Sequence, residues 1–202
     1  MPLHTLIPRA LLPVLLLGLP VAAQAPERPA SQGAATPSDT EVPGVANFAR
    51  LSPAVWRGAQ PTAEGFRNLE KWGVRTVISF RHDHDDFQEL KGTGLKYLRI
   101  PSLAFDPSLE NIARFLKVVE DEANWPVFIH CAKGKDRTGY NAAAYRIVIQ
   151  GWTPARALEE MHAFRFNRIW VLNPGFVRRL TAEELRARVD REPPPLFQIW
   201  VP

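Results

Sequence analysis

A strand–loop–helix sequence between Pro126 and Ile147 limits the possible folds of this chain more than any other feature. Its letters are PVFIHCAKGKDRTGYNAAAYRI. The run PVFIH is short and apolar, as in a buried strand, and the run from Arg137 onward has a helical pattern. A loop with one glycine and three charged residues separates them. A buried strand that passes through a short loop into a helix is the repeating unit of sheets with parallel strands.

Strand and helix patterns alternate along the rest of the chain. The predicted strands are Val55–Pro61, which runs into a turn, Val74–Phe80 and Leu95–Pro101. The predicted helices are Thr62–Trp72, Pro107–Glu122, Arg137–Gln150, Thr153–Ala163 and further helix over Asn173–Asp190. Residues 81–94 are expected to form a loop with a short helix, the tail after Asp190 to be irregular, and Trp56 and Trp72 to lie in the core. The alternation predicts an α/β fold with a central, mostly parallel sheet flanked by helices, and ligand sites at the carboxyl ends of its strands.

The first 25 residues have the pattern of a secretory signal peptide. Arg9 precedes an apolar stretch over 11–22, and Ala23-Gln24-Ala25 forms an A-x-A cleavage site. The apolar stretch is shorter than the roughly 20 residues that a spanning helix needs, although a retained membrane anchor is the alternative. We therefore expect a signal peptide over 1–25, no stable membrane span after its cleavage, and a periplasmic or secreted protein. Residues 26–47, rich in Pro, Ala, Ser and Thr, are expected to be a disordered linker, and residues 48–202 the folded domain.

Charge and cysteine content narrow the function further. The net charge of +4 favours anionic ligands. Because lysines and arginines are scattered among acids and form no basic stripe, we expect no nucleic-acid binding. The single cysteine, Cys131, has no partner for a disulfide within the chain, so an exported protein of this composition is expected to use it for its reactivity.

The loop from Cys131 to Arg137 combines a nucleophile with an anion-binding site. Its backbone amides and the positive end of the following helix attract an anion, and Gly134 permits the tight turn that such a nest needs. The same field stabilises a thiolate, and the guanidinium fork of Arg137 matches two phosphate oxygens. These groups suit in-line displacement at phosphorus through a phosphocysteine, with no metal and no cofactor.

The sequence HCAKGKDRTG resembles the His-Cys-x5-Arg-Thr/Ser signature of cysteine-dependent protein tyrosine and dual-specificity phosphatases. A weaker likeness extends over about Val55–Ala163, and its opening, VWRGAQPTAEGFRNLEKWGVRTVISFR, is similar to the small atypical dual-specificity group. The resemblance implies that Cys131 is the nucleophile and Arg137 the phosphate clamp. It further implies that His130 orients the loop, that Thr138 offers its hydroxyl to the leaving sulfur, and that substrate phosphate binds at the remaining loop positions, which are Ala132, Lys133, Gly134, Lys135 and Gly139.

The substrate and the general acid stay open at this point. A phosphotyrosine or dual-specificity phosphatase, acting on phosphoproteins, is the first expectation. Lys133 and Lys135 resemble loop residues of phosphatases that act on phosphoinositides or inositol phosphates, which gives a second. The family places an acidic residue before the cysteine, and Asp106 stands there, although it could instead cap a helix. Asp136, inside the loop, is the rival acid, and its alternative role is a hydrogen bond that shapes the loop.

Other readings of the sequence are weaker. In RHDHDD, His82 and His84 stand beside aspartates, but a solvated loop is favoured over a metal site. Arg57 is expected either to support the site or to form a surface salt bridge. Rhodanese-like sulfurtransferases also place a cysteine in an anion-binding loop, which is usually one residue shorter. A phosphatase-like module that binds phosphorylated ligands without turnover is a further alternative.

Overall fold

The computed structural model of the chain describes residues 33–199. The predicted signal peptide, the first part of the predicted linker and residues 200–202 lie outside the described residues.

A single six-stranded sheet forms the centre of the described domain. Its strands are β1 (Ala49–Arg50), β2 (Val55–Ala59), β3 (Thr76–Ser79), β4 (Lys96–Arg99), β5 (Val127–Cys131) and β6 (Gln198–Ile199). They lie in the order β1-β2-β5-β3-β4-β6, with the inner four parallel and the two short edge strands antiparallel. This confirms the predicted mostly parallel sheet. The strand β6 corrects the expectation that the whole tail is irregular, because Gln198 and Ile199 pair with β4.

Helices pack around this sheet. They are α1 (Ala63–Lys71), α2 (Leu109–Glu120), α3 (Arg137–Val148), α4 (Pro154–Ala163), α5 (Asn173–Arg179) and α6 (Ala182–Val189), with a 3₁₀ turn at Glu122–Asn124. Thr62 and Thr153 cap α1 and α4 through their hydroxyls, as the sequence predicts. The short helix expected within 81–94 is wrong, because these residues form turns.

The helix α3 is buried along almost its whole length. Its residues 138–148 are all buried, and it packs against β5, α2, α4 and α6. A helix surrounded in this way needs small side chains for close packing, and Ala142, Ala143 and Ala144 supply them. The loop between β5 and α3 is therefore held between two rigid elements at the centre of the fold.

The folded part begins before Phe48, so the predicted linker boundary is too late. Val42 and Val45 are buried, and the backbone of Ser38 pairs with that of Phe48. The composition of this segment, rich in Pro, Ser and Thr, indicated disorder. Its two valines are nevertheless buried, and the segment packs against β2 and α1. No helix among residues 33–199 has the length and apolar character needed to cross a membrane.

Candidate active site

Cys131 lies at the carboxyl end of β5, where the ends of three parallel strands meet. It pairs with Ala59 of β2, and the preceding His130 pairs with both Gly58 of β2 and Ser79 of β3. A cavity of about 660 Å³ opens here. Its walls are Ala104, Cys131–Lys133, Lys135–Arg137, Arg165–Arg168 and Trp170. The structure therefore brings together the nucleophile and clamp that the sequence predicts, at the sheet edge where a ligand site is expected.

The carbonyl groups of the loop are tied to the surrounding scaffold. A guanidinium nitrogen of Arg57 donates to the carbonyl of Gly134 at 2.7 Å. The side-chain amide of Asn47 donates to the carbonyls of Gly134 and Lys133 at 3.1 and 3.3 Å. The backbone N–H of Gln60 donates to the carbonyl of Ala132 at 3.4 Å. Because a trans peptide points its N–H opposite to its C=O, these contacts turn the N–H groups of residues 133–135 the other way, as an anion nest requires.

Gly134 is required at the closest approach between the loop and β2. Its φ of +64° lies in the left-handed region. A Cβ atom on it would lie 2.5 Å from the carbonyl of Gly58 and 2.7 Å from the amide of Ala59. No side chain fits in that space, so the loop conformation depends on this glycine.

Arg57 is a fully buried cation beneath the loop, and the expectation of a surface salt bridge is wrong. Its guanidinium lies 3.7 Å from the ring centre of Phe164 as well as contacting Gly134. Burial lowers the pKa of Arg57 to about 10, against the opposing influence of Glu160 and Cys131. The side chain stays cationic at neutral pH and adds positive potential near the cysteine.

Arg137 is the first residue of α3, and its guanidinium is largely sheltered at the wall of the cavity. One nitrogen lies 3.5 Å from the carbonyl oxygen of Phe80, 3.4 Å from His82 Nδ1 and 3.9 Å from Asp83. The next residue, Thr138, is buried, and its hydroxyl has no hydrogen-bond partner among the described residues. Both side chains thus keep hydrogen-bonding capacity beside Cys131.

His130 faces a buried carboxylate that the sequence analysis assigned to a solvated loop. Asp86 is fully buried, its Oδ2 lies 2.9 Å from His130 Nε2, and its Oδ1 accepts from Gln60 at 2.8 Å. Burial alone would raise the pKa of Asp86, but His130, Gln60 and His84 outweigh it and hold that pKa below its ordinary value. Asp86 is therefore a site residue that the sequence analysis missed, because nothing in RHDHDD distinguishes a buried aspartate from the exposed ones.

A group of possible metal ligands adjoins this pair. Atoms of His84, Asp86 and Glu89 lie within 4.8 Å of one another. Both carboxylate oxygens of Asp86 already contact other side chains, His130 and Gln60. The expectation that the protein needs no metal stays a prediction.

The two candidate acids occupy different positions. Asp106 is exposed in the loop between β4 and α2, and it is not the helix cap, because Ser108 caps α2. Asp136 lies in the cavity wall, and its Oδ1 accepts the backbone N–H of Asn167 at 2.8 Å. Asp136 thus makes the loop-shaping hydrogen bond that the sequence analysis gave as its alternative role.

The cavity has more positive charge than its loop alone supplies. Arg165 and Arg168 line it together with Lys133, Lys135 and Arg137. Arg165 has a φ of +63°, which is unusual for a residue with a side chain, and it pairs with Asp39 at 3.0 Å. Neither arginine was predicted as a site residue, although both stand among the aromatic and apolar residues of the sequence FRFNRIW.

Comparison with known families agrees with this geometry. Residues 41–178 match the model of a family described as DSP-PTPase phosphatase fused to NAD+ kinase.

Two curated proteins illustrate the range of relatives. The dual specificity protein phosphatase TpbA of Pseudomonas aeruginosa (strain UCBPP-PA14) is 38% identical over 155 residues, which cover 75% of this chain and 68% of TpbA. The inositol diphosphatase SIW14 of Saccharomyces cerevisiae is 25% identical over 149 residues, covering 69% of this chain and 53% of SIW14.

A solved structure shows the same fold. The structure of P. aeruginosa TpbA in complex with phosphotyrosine aligns with a TM-score of 0.65 and 31% identity, covering 78% of this chain and 96% of that one.

Proposed function

This chain belongs to the DSP-PTPase family of cysteine-dependent phosphatases, and we propose that it hydrolyses phosphotyrosine and related phosphomonoesters on proteins by means of Cys131. The observation that carries the proposal is the meeting of Cys131 and Arg137 in one cavity, at a loop in which the carbonyls of residues 132–134 are turned toward the scaffold. The TpbA structure in complex with phosphotyrosine supports phosphotyrosine as the first substrate to test.

The proposed reaction has two displacements at phosphorus. The Cys131 thiolate attacks the phosphorus atom, an S–P bond forms, and the P–O bond to the leaving group breaks as an acid donates a proton to that oxygen. Water then attacks the phosphocysteine, which releases inorganic phosphate and restores the thiolate. The loop amides and the fork of Arg137 stabilise the equatorial oxygens in both steps, and the hydroxyl of Thr138 donates to the sulfur when it leaves.

We assign the general acid to Asp106. Its loop reaches the cavity through Ala104, and its own side chain is exposed and able to approach a leaving group. Asp136 is the weaker candidate because its Oδ1 already accepts the backbone N–H of Asn167, which ties the side chain to the neighbouring loop.

Asp106→Asn is expected to lower kcat for phosphotyrosine peptide about 10²-fold, since the phenolate of tyrosine needs a proton as it leaves. The loss for p-nitrophenyl phosphate should be much smaller, because its leaving group is a weaker base. Steady-state kinetics with both substrates measures the difference, and Asp136→Asn is the matched control. A leaving-group-dependent loss in Asp136→Asn alone would transfer the role to Asp136.

A second candidate function rests on the five cations at the cavity. Lys133, Lys135, Arg137, Arg165 and Arg168 exceed what one phosphate needs, and excess positive charge favours substrates with several phosphates, such as inositol polyphosphates or phosphoinositides. The likeness to SIW14, an inositol diphosphatase, supports keeping this candidate.

Phosphate release by the full chain in the presence of EDTA tests both candidates. The substrates are p-nitrophenyl phosphate, a phosphotyrosine peptide, a phosphoinositide and inositol hexakisphosphate, with Cys131→Ser as the control. We expect turnover that persists in EDTA and is lost in Cys131→Ser. Among the four substrates, the phosphotyrosine peptide should have the highest kcat/KM. A preference for the inositol compounds that disappears in Lys133→Ala/Lys135→Ala would favour the second candidate, whereas binding without turnover would identify a non-catalytic module.

A further inference from the structure

An unusual run of exposed apolar residues lies beside the cavity. In the segment between α4 and α5, the exposed fractions of Ile169, Val171 and Leu172 are 66%, 75% and 75%. Trp170, within the same run, lines the cavity. Consecutive large apolar residues in water are disfavoured unless they serve a function.

The loop between β4 and α2 adds two further residues to the same surface. Leu103 and Phe105 are exposed by 37% and 55%. The ring centres of Phe105 and Trp170 are 6.0 Å apart, and the Asn173 side chain donates to the carbonyl of Ala104 at 2.7 Å. These contacts join the two segments into one surface, which we call the apolar rim: Leu103, Phe105, Ile169, Val171 and Leu172.

The exposed apolar residues are concentrated rather than scattered. Of the seven large apolar side chains that are exposed in the described part of the chain, five belong to the apolar rim, and only Trp72 and Leu196 do not. Isolated exposed hydrophobic residues are ordinary on a protein surface, but a contiguous group marks an interaction site.

Exposure and charge together indicate what covers the apolar rim. Ile169, Val171 and Leu172, exposed by 66–75%, project from the surface, whereas a groove that receives a partner's side chain would leave its own lining half-buried. Arg165 and Arg168 lie in the same segment, and Lys133 and Lys135 face the same cavity. Projecting aliphatic and aromatic groups next to clustered cations match the surface of an anionic bilayer, in which apolar groups enter the acyl boundary and cations meet the phosphates.

We propose that the apolar rim inserts into the surface of an anionic phospholipid bilayer and holds the mouth of the cavity against the phosphate-bearing layer. Docking of this kind presents phosphate groups at a membrane surface directly to the catalytic loop. It requires neither of the two substrate classes above, and it depends on the apolar rim rather than on Cys131.

A position-specific fluorescence experiment tests the insertion. Because Cys131 is the only cysteine, Cys131→Ser frees the full chain for a single label, attached through Val171→Cys in the apolar rim or Leu196→Cys as the control. Leu196 is 88% exposed and lies outside the apolar rim. With vesicles of equal phosphatidylcholine and phosphatidylglycerol, an environment-sensitive dye at position 171 should shift to the blue and brighten, while the dye at 196 should not.

The outcomes separate the possible sources of binding. Both labelled chains carry the same residues 1–32, so attachment through that segment would not distinguish position 171 from 196. No change at 171, or equal changes at both positions, would overturn the proposal. A change at 171 with a tyrosine-phosphorylated carrier protein, but not with vesicles, would assign the apolar rim to a protein partner and equally overturn it.

A second measurement uses the active chain. Val171→Ser/Leu172→Ser is expected to bind the same vesicles about tenfold more weakly than the parent, because two apolar side chains no longer enter the bilayer. Its hydrolysis of soluble p-nitrophenyl phosphate should stay within about twofold of the parent, since neither residue lines the cavity. Leu196→Ser is the matched control, and equal vesicle binding by all three chains would contradict the proposal.

Discussion

Arg137→Lys is expected to lower kcat/KM for p-nitrophenyl phosphate by about 10²–10³-fold, although the charge of the side chain is kept. The reason is geometric. A guanidinium holds two equatorial phosphate oxygens through parallel N–H groups, whereas an ammonium holds them as a point charge. At the first position of α3, Arg137 is fixed by the helix and by the carbonyl of Phe80, so a lysine there has no means of reproducing the fork.

The control for this prediction is Arg178→Lys, an exposed position in the last turn of α5. It should change neither kcat/KM nor the thermal midpoint. Isothermal titration with inorganic phosphate on a Cys131→Ser background adds a readout without turnover, and Arg137→Lys should weaken binding there too. Activity of Arg137→Lys within about tenfold of the parent would show that charge alone suffices and that Arg137 is not a bidentate clamp.

The catalytic loop could be predicted from the sequence because its parts are contiguous. Cys131, Gly134 and Arg137 stand within one strand–loop–helix unit, and each is of a residue type that its position demands. The parallel sheet could be predicted for the same reason. Each strand or helix pattern is local, and alternating strands and helices generally form a parallel sheet flanked by helices.

The residues that support the loop could not be predicted in this way, because they are distant in sequence. Arg57 and Asn47 contact Gly134 across 77 and 87 positions. Neither residue has a local signal of burial, and a charged side chain is by default expected at the surface. Asp86 was missed on the same grounds, since only the fold places it against His130.

Trp72 shows how a surface position can accommodate a residue that the sequence assigns to the core. It is 41% exposed, contrary to the prediction. The Arg50 guanidinium lies 5.1 Å from its ring centre and 4.7 Å from that of Trp56, so a cation covers part of each aromatic face. Helical spacing predicted the helix α1 correctly, but it did not predict that the Trp72 side chain is exposed.

The largest effect on stability is expected at Glu160, which forms a buried ion pair with Arg146. The two side chains are exposed by 2% and 0% and make two contacts, of 2.9 and 2.6 Å. Glu160→Leu should lower the free energy of unfolding by about 3–5 kcal/mol, because it leaves the Arg146 cation buried without its partner. Urea unfolding followed by circular dichroism measures the change. The control is Glu41→Gln, which breaks the exposed ion pair of Glu41 with Arg50 and should lower the free energy of unfolding by under about 1 kcal/mol.

The double variant Arg146→Met/Glu160→Leu separates the worth of the pair from the cost of breaking it. Removing both charges should recover much of the loss, since no unpaired ion is then buried. Recovery should be incomplete, because Arg146 also donates to the carbonyl of Leu51 and Glu160 also accepts from the amide of Ala35. The first bond joins α3 to the residues between β1 and β2, and the second joins α4 to the segment that precedes β1. If Glu160→Leu costs no more than Glu41→Gln, the pair does not hold these elements together, and the packing of α3 together with the bonds of Arg57, Asn47 and Gln60 to the loop is sufficient to fix the loop between β5 and α3.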